Sequence, residues 1–342
     1  MTKTTSPAVR LSGLRKSYGS LEVLKGIDLE IPRGSIYALL GPNGAGKTTT
    51  IRILATLLGF QAGRVEVLGH TLPRDKALVR RRISLAGQYA SMDEDLTGRE
   101  NLILLGRLLG FRKTTAAQRA DQILRAFTLD DAAQRLVKNY SGGMRRKLDI
   151  AASLIVTPDL LFLDEPTTGL DPHNRNEIWD VVRRLAGAGT TVLLTTQYLD
   201  EADQLAQGIG VINHGRVIAQ GTPRELKKAV GEGTLHLRFD GESQAARATE
   251  AIPAILRELG ISGELLPSAS PRQLQAAMPS PESALGVLRG LQDRGLTPGE
   301  FSLGHPSLDE VFLALTGKPA EAEEPAATKE PAATKEPAAT KE

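Results

Sequence analysis

The chain of 342 residues carries a formal net charge of +2, is 41% hydrophobic and contains no cysteine. That length accommodates two folded units, the apolar fraction supports a sizeable core, and the missing thiols exclude disulfides, thiolate metal sites and cysteine nucleophiles. The near-neutral balance, with Arg80-Arg81-Arg82 as a short basic run, gives no argument for nucleic acid, and neither a signal peptide nor an apolar run of about 18 residues is present.

Residues 1–8 are polar and are expected to be flexible. A strand is predicted over 9–14, Tyr18 falls in a turn-rich stretch, and a second strand runs over 23–31 to the break Pro32-Arg33-Gly34. The apolar run 36–40 leads into Gly41-Pro42-Asn43-Gly44-Ala45-Gly46-Lys47-Thr48-Thr49. This is the spacing G-x-x-x-x-G-K-[ST], and a helix predicted over 48–58 completes the strand–loop–helix setting that it needs. Glycines here let successive N–H groups turn toward phosphate oxygens at the positive end of a helix. Lys47 would set a cation between the β- and γ-phosphates, and Thr48 would offer its hydroxyl to Mg²⁺. A glycine-rich loop without a ligand is the plain alternative, and the joint placement of Lys47 and Thr48 argues against it.

A short strand is expected over 63–68 and another over 80–86. Gln88 follows, and its amide oxygen suits Mg²⁺ or attacking water as well as it suits a plain surface. Thr97 and Glu100 have capping-box spacing ahead of a helix through Leu102, Leu105, Leu108 and Leu109, and a second amphipathic helix covers 116–127. Ser141-Gly142-Gly143 lies at the start of a helix over 148–155, a second anion-binding pattern. Arg145, Arg146 and Lys147 are expected on its solvated face. The apolar run 160–163 ends in Asp164-Glu165, which reads as a buried parallel strand delivering two carboxylates to the edge where open α/β sheets bind ligands. Asp164 is placed to hold Mg²⁺ through water, and Glu165 to take a proton from attacking water. Gly169-Leu170-Asp171-Pro172 turns into a helix over 174–186, and a strand over 190–195 precedes Gln197. A helix over 199–206, a hairpin around His214-Gly215 and a short helix over 221–230 follow.

From 234 the pattern changes. Strands at 235–239, 263–266, 272–276 and 301–303 alternate with helices at 245–259, bent at Pro253, and 281–294, giving the order β-α-β-β-α-β of a split βαβ unit before a closing helix at 307–315. Residues 318–342 include Pro-Ala-Ala-Thr-Lys-Glu three times and no apolar side chain larger than alanine, so they are expected to be disordered.

The loop Gly41 to Thr49, Gln88, Ser141-Gly142-Gly143, Asp164-Glu165 and Asp171, in this order and register, resemble the ATP-binding-cassette ATPase family. The resemblance implies an α/β phosphate-loop domain over 9–230 with a helical subdomain at about 90–158, followed here by an accessory α+β domain over 234–316 and the tail. It implies ATP and Mg²⁺ as cofactors. Tyr18 would stack on adenine, while Gly41, Pro42, Asn43, Gly44, Ala45, Gly46, Lys47, Thr48 and Thr49 would hold the phosphates. Thr48, Gln88 and Asp164 would hold the metal, Glu165 would be the general base, and Asp171 would couple two sites. Ser141, Gly142 and Gly143 of one copy would close on the phosphate held by Lys47 of another, which implies a homodimer.

Gln197 stands where the family usually places a histidine, and an amide donates a hydrogen bond without carrying a proton. Thr195-Thr196-Gln197-Tyr198, Gly87-Gln88 and the C-terminal domain are similar to those of the daunorubicin-resistance drug exporters. That branch implies an ATP-hydrolysing subunit on the cytoplasmic face of the cell membrane, peripheral to separate integral-membrane permease subunits, energising efflux of a drug or antibiotic. A soluble cassette ATPase acting on a ribosome or DNA is an alternative, against which stand the single phosphate loop and the lack of heptads. A regulatory nucleotide binder with little hydrolysis is another, against which stands Glu165.

Overall fold

The computed structural model describes residues 6–87, 92–230, 233–268, 270–304 and 307–316. β1 (Val9–Tyr18) and β2 (Leu21–Ile31) form an antiparallel hairpin longer than the sequence suggests, with Tyr18 paired to Leu21 across the turn Gly19-Ser20. Ala8, expected to be flexible, is instead buried: its N–H donates to Ile31 and its carbonyl accepts from Leu68. β4 (Ala62–Val67) and β5 (His70–Leu72) complete a four-stranded sheet of order β2-β1-β4-β5.

β3 (Ile36–Leu40) is buried at every residue, as a continuous apolar run demands of a strand covered on both faces. Its alternation divides two cores: Ile36, Ala38 and Leu40 enter one, Tyr37 and Leu39 the other. Around it lies a six-stranded sheet of order β10-β9-β3-β8-β7-β6. β6 (Ile83–Ala86), β7 (Leu160–Asp164), β8 (Thr191–Thr196) and β9 (Gly208–Asn213) run parallel to one another and to β3, and β10 (Arg216–Gly221) closes the edge antiparallel. All the parallel strands therefore present their carboxyl ends on one side, which collects residues 41, 87, 164 and 197 at a single edge.

The helices depart from expectation mostly at their ends. α1 (Lys47–Leu54) stops short of 58, where Thr56 takes a positive φ of 63°. α2 (Lys76–Arg80) occupies the start of the strand expected over 80–86. α3 (Gly98–Leu108) carries the full capping box of Thr97 and Glu100, and α4 (Lys113–Ala126) packs beside it. α5 (Gly142–Ala152) begins immediately at the glycines and not at 148. α6 (Pro172–Gly187), α7 (Leu199–Leu205) and α8 (Pro223–Val230) follow near their expected positions.

The C-terminal segment has the expected order. β11 (Gly233–Arg238), α9 (Glu242–Glu258), β12 (Glu264–Leu266), β13 (Gln273–Met278), α10 (Pro281–Gln292) and β14 (Glu300–Gly304) make an antiparallel sheet of order β12-β13-β11-β14 with its own core around Phe239, Ile252 and Val287. α11 (Leu308–Thr316) behaves differently. Leu308, Val311 and Phe312 join the core that contains Leu199, Ala202 and Leu226, so the closing helix packs on α7 and α8. Glu310 ties it back to the small sheet by accepting the Thr234 hydroxyl at 3.1 Å. The tail 318–342 lies outside the described residues.

Candidate functional site

β3 ends at Gly41, where a side chain would place its Cβ 2.2 Å from the backbone oxygen of Ile212, so only glycine fits. Gly46, the N-cap of α1, has φ 111° and lies against Leu24 of β2, where an added Cβ would come within 2.6 Å of its side chain. Between them the loop curls tightly enough for the Ala45 N–H to bond Pro42 at 3.2 Å. Its N–H groups thus run into the start of α1, where the helix contributes partial positive charge. Asn43 and Gly44 are exposed, while Ala45, Gly46 and Lys47 are buried.

Lys47, only 4% exposed, donates to the Gly41 carbonyl at 2.6 Å and stands 3.6 Å from Glu165 Oε1. The Thr48 hydroxyl donates to Asp164 Oδ1 at 3.0 Å, and Thr195 on the adjacent strand donates to the same oxygen at 2.6 Å. The pairing Asp164↔Thr195 in the parallel register sets that second contact. Thr48 and Asp164 are hard oxygen donors beside the phosphate loop, a donor set that fits Mg²⁺ held by one carboxylate together with substrate oxygens. Among the described residues no three His, Asp or Glu side chains converge as a metal cage.

Glu165 has a positive φ of 48°, uncommon for a residue with a side chain, and such strain costs on the order of 1–3 kcal/mol. The turn is held from two sides. The Glu165 N–H is bonded to Thr195 (carbonyl at 3.2 Å, hydroxyl at 3.1 Å), and its carbonyl accepts Arg146 Nη2 at 2.9 Å. Arg146 also donates to the carbonyls of Asp164 and Pro166, each at 2.9 Å, and to that of Gly87. Arg146 was expected on a solvated helix face and is instead largely enclosed. Residues 146 and 147 lie four before the buried Ile150 and Ala151 and so share their inward face; Lys147 is buried and paired with Glu177. Burial pulls the Arg146 guanidinium below its usual range, offset by Asp149, Asp164, Glu201 and Glu165.

Ser141 and Gly142 are exposed at the start of α5, where the Ser141 hydroxyl caps the Met144 N–H at 3.2 Å. Gly143 packs on Asn174, whose side chain an added Cβ would displace. Asn174 in turn donates its N–H to Asp171, the N-cap of α6, at 2.9 Å, and this bond holds the Asp171 carboxyl below the usual carboxylate range. The two turns at 141–143 and 169–172 are thereby joined within one chain.

Gln197 follows β8 directly, and its Oε1 is buried without a hydrogen-bond partner among the described residues. Tyr18 is 46% exposed with the Lys16 ammonium 5.2 Å from its ring centre. Lys16 pairs with Leu24, the residue against Gly46, so the hairpin end flanks the phosphate loop. Gln88 lies outside the described residues.

Three partners escape the sequence reading: Thr195, Arg146 and Glu201. Glu201 is fully buried, and its Oε1 accepts Thr167 at 2.9 Å and Trp179 Nε1 at 3.1 Å. Burial pushes its carboxyl above the usual range, against the donors Thr196, Thr167 and Trp179. A signal existed, since Glu201 shares a helical face with Ala202 and Leu205, both buried.

With a phosphate cradle, a hydroxyl–carboxylate pair and a second carboxylate at one sheet edge, the fold and site define a nucleoside-triphosphate hydrolase of the phosphate-loop class. The ABC transporter family model matches residues 24–168. The chain is 53% identical, over 94% of its length and 96% of the relative's, to the daunorubicin/doxorubicin resistance ATP-binding protein DrrA of Streptomyces peucetius. It is 38% identical, over 92% of its length and 95% of the relative's, to the Nod factor export ATP-binding protein I of Ralstonia nicotianae. Among solved structures, an ATP-binding subunit of an ABC transporter superposes with a TM-score of 0.59 at 27% identity, covering 65% of this chain and 92% of that one. The chain belongs to the ATP-binding-cassette transporter ATPases.

Proposed function

We propose that this ABC exporter ATPase hydrolyses MgATP to drive efflux of a drug or antibiotic, of the anthracycline kind named for its relatives, through separate membrane subunits. The observation that carries the reading is the meeting of Lys47, Thr48, Asp164 and Glu165 at the carboxyl edge of the central sheet. Loop N–H groups and Lys47 bind and orient the phosphates; Tyr18 offers a ring face to the base. Thr48 and Asp164, with Gln88, would hold Mg²⁺, which supplies charge neutralisation at the transferring phosphate. Glu165 takes the proton of the attacking water, and Gln197 donates an amide hydrogen bond toward the γ-phosphate.

A homodimer completes the site. Ser141-Gly142-Gly143 presents an exposed helix start, which closes on the phosphate bound by the second copy and excludes water. No described helix is long and apolar enough to cross a membrane, and the reading places the chain at the cytoplasmic face, docked peripherally on its permease. The units 9–230 (with its helical part at about 90–158) and 234–316 are read as nucleotide-binding and accessory domains. The test is co-expression with a candidate permease subunit. Membrane sedimentation and MgATP turnover that both depend on the permease are expected; a chain that stays in the soluble fraction and hydrolyses ATP only with nucleic acid overturns the reading.

A further inference from the structure

We propose that Arg146 is a positioning residue for Glu165, fixing the strained turn that carries this carboxylate and coupling it to the helix that starts at Ser141. The inference rests on the base assignment above and goes beyond it. Residue 165 is in the left-handed region, and the turn at 164–166 offers three successive carbonyls to one guanidinium. Arg146 bonds all three and reaches Gly87 as well, so a single planar fork joins β6, the end of β7 and α5. The five fixed donors of a guanidinium suit this arrangement; a lysine ammonium has three donors on one point charge and cannot span it.

The consequence is mechanical. α5 is a continuous helix that starts behind the exposed Ser141 and Gly142 and whose next turn carries Arg146. A phosphate of the second copy arriving at that first turn bears on the rigid helix, and Arg146 transmits its position to Glu165. In the absence of that contact, α5 and the turn are free to move together, away from productive geometry. Arg146 touches only backbone oxygens in these contacts, so its removal should spare nucleotide binding and act on turnover.

The experiment uses the full chain in membranes with its permease and compares wild type, Arg146→Lys, Arg146→Gln, Glu165→Gln and the double variant Arg146→Lys/Glu165→Gln. Thermal midpoints and affinity for a fluorescent ATP analogue are measured beside kcat and KM. Arg146→Lys is expected to lower kcat ~10–100-fold, the scale of an ångström-sized misplacement of a reacting group. Its KM and analogue affinity stay within about threefold of wild type, since the loop and Lys47 are untouched. The double variant turns over no more slowly than Glu165→Gln alone, because the two act on the same step. An Arg146→Lys protein with wild-type kcat, or additive losses in the double variant, overturns the inference while leaving the base assignment standing. Glu165→Gln with wild-type turnover overturns the base assignment and this inference with it. Should Arg146→Lys lose its fold, Arg146→Gln carries the same comparison, and equal loss of kcat, affinity and thermal midpoint in both makes the residue merely structural.

Discussion

Thr48 donates its hydroxyl to Asp164 across 3.0 Å, joining the first turn of α1 to the last residue of β7. Asp164 is 5% exposed, and a carboxylate so enclosed requires hydrogen-bond donors. Two hydroxyls, from Thr48 and Thr195, supply them. The pair is therefore preorganised for a cation. Asp164→Asn preserves shape and removes the charge. Turnover with saturating MgATP is expected to fall by about 10²–10³-fold, as when one preorganised electrostatic partner is lost. Binding of metal-free nucleotide should change little. A Mg²⁺ titration of ATPase activity checks this, and an unchanged Mg²⁺ midpoint with unchanged turnover would refute the assignment.

Glu165 lies beside Lys47, and its carboxylate is held at the sheet edge by a turn fixed from both flanks. Glu165→Gln keeps size and hydrogen bonding while removing proton acceptance. Hydrolysis should drop by about 10²–10⁴-fold, the span of general-base catalysis, with ATP affinity retained. Trapped nucleotide should then accumulate with a dimeric species in size-exclusion chromatography. Turnover like that of the wild type would exclude Glu165 as the base.

Gln197 carries no titrating proton, so residue 197 gives the wild-type rate no inflection between pH 6 and 8. Gln197→His adds an imidazole with an ordinary pKa of about 6.5. Its cationic form, populated as pH falls, adds positive charge near the γ-phosphate. The ratio of variant to wild-type kcat should therefore rise as pH is lowered from about 8 to about 6. Parallel pH–rate profiles would place residue 197 away from the phosphate.

The parts of this site legible in sequence are those set by short-range rules. The phosphate loop is a run of spacing and backbone freedom, Asp164-Glu165 follows an unbroken apolar strand, and Thr97 with Glu100 is a local cap. What escaped is tertiary. Arg146 and Lys147 read as solvated opposite Leu148, Ile150 and Ala151, yet each lies one helical turn before a buried residue, Ile150 or Ala151, and shares its face. In α5 the same residues face Gly87, the 164–166 turn and Glu177. Thr195 became a partner of Asp164 only through the parallel register between β7 and β8, which nothing local encodes. The closing helix carries an apolar stripe, but a stripe does not say which core receives it; Phe312 enters that of α7 and α8.

Glu201 provides the last test, because a buried carboxyl makes stability depend on pH. Its folded-state pKa is raised by burial, and in the unfolded chain it returns to the ordinary value near 4.5. Below that value both states hold the proton. Above it the unfolded chain releases its proton while the folded chain keeps it, so the folded state binds more protons and stability falls as pH rises toward the folded-state pKa. Glu201→Gln retains the carbonyl that accepts Thr167 and Trp179 and cannot ionise. Relative to wild type, the variant should gain stability between about pH 5 and about pH 8, the gain ending where the pH passes the folded-state pKa of Glu201. Glu201→Leu instead strands the Trp179 N–H and the Thr167 hydroxyl, at a cost of about 1–3 kcal/mol for each. Urea unfolding of the three proteins at both pH values decides the matter. A stability difference between Glu201→Gln and wild type that stays constant with pH would mean that Glu201 ionises in the folded chain, and that the Thr167–Glu201–Trp179 contact is held by a carboxylate.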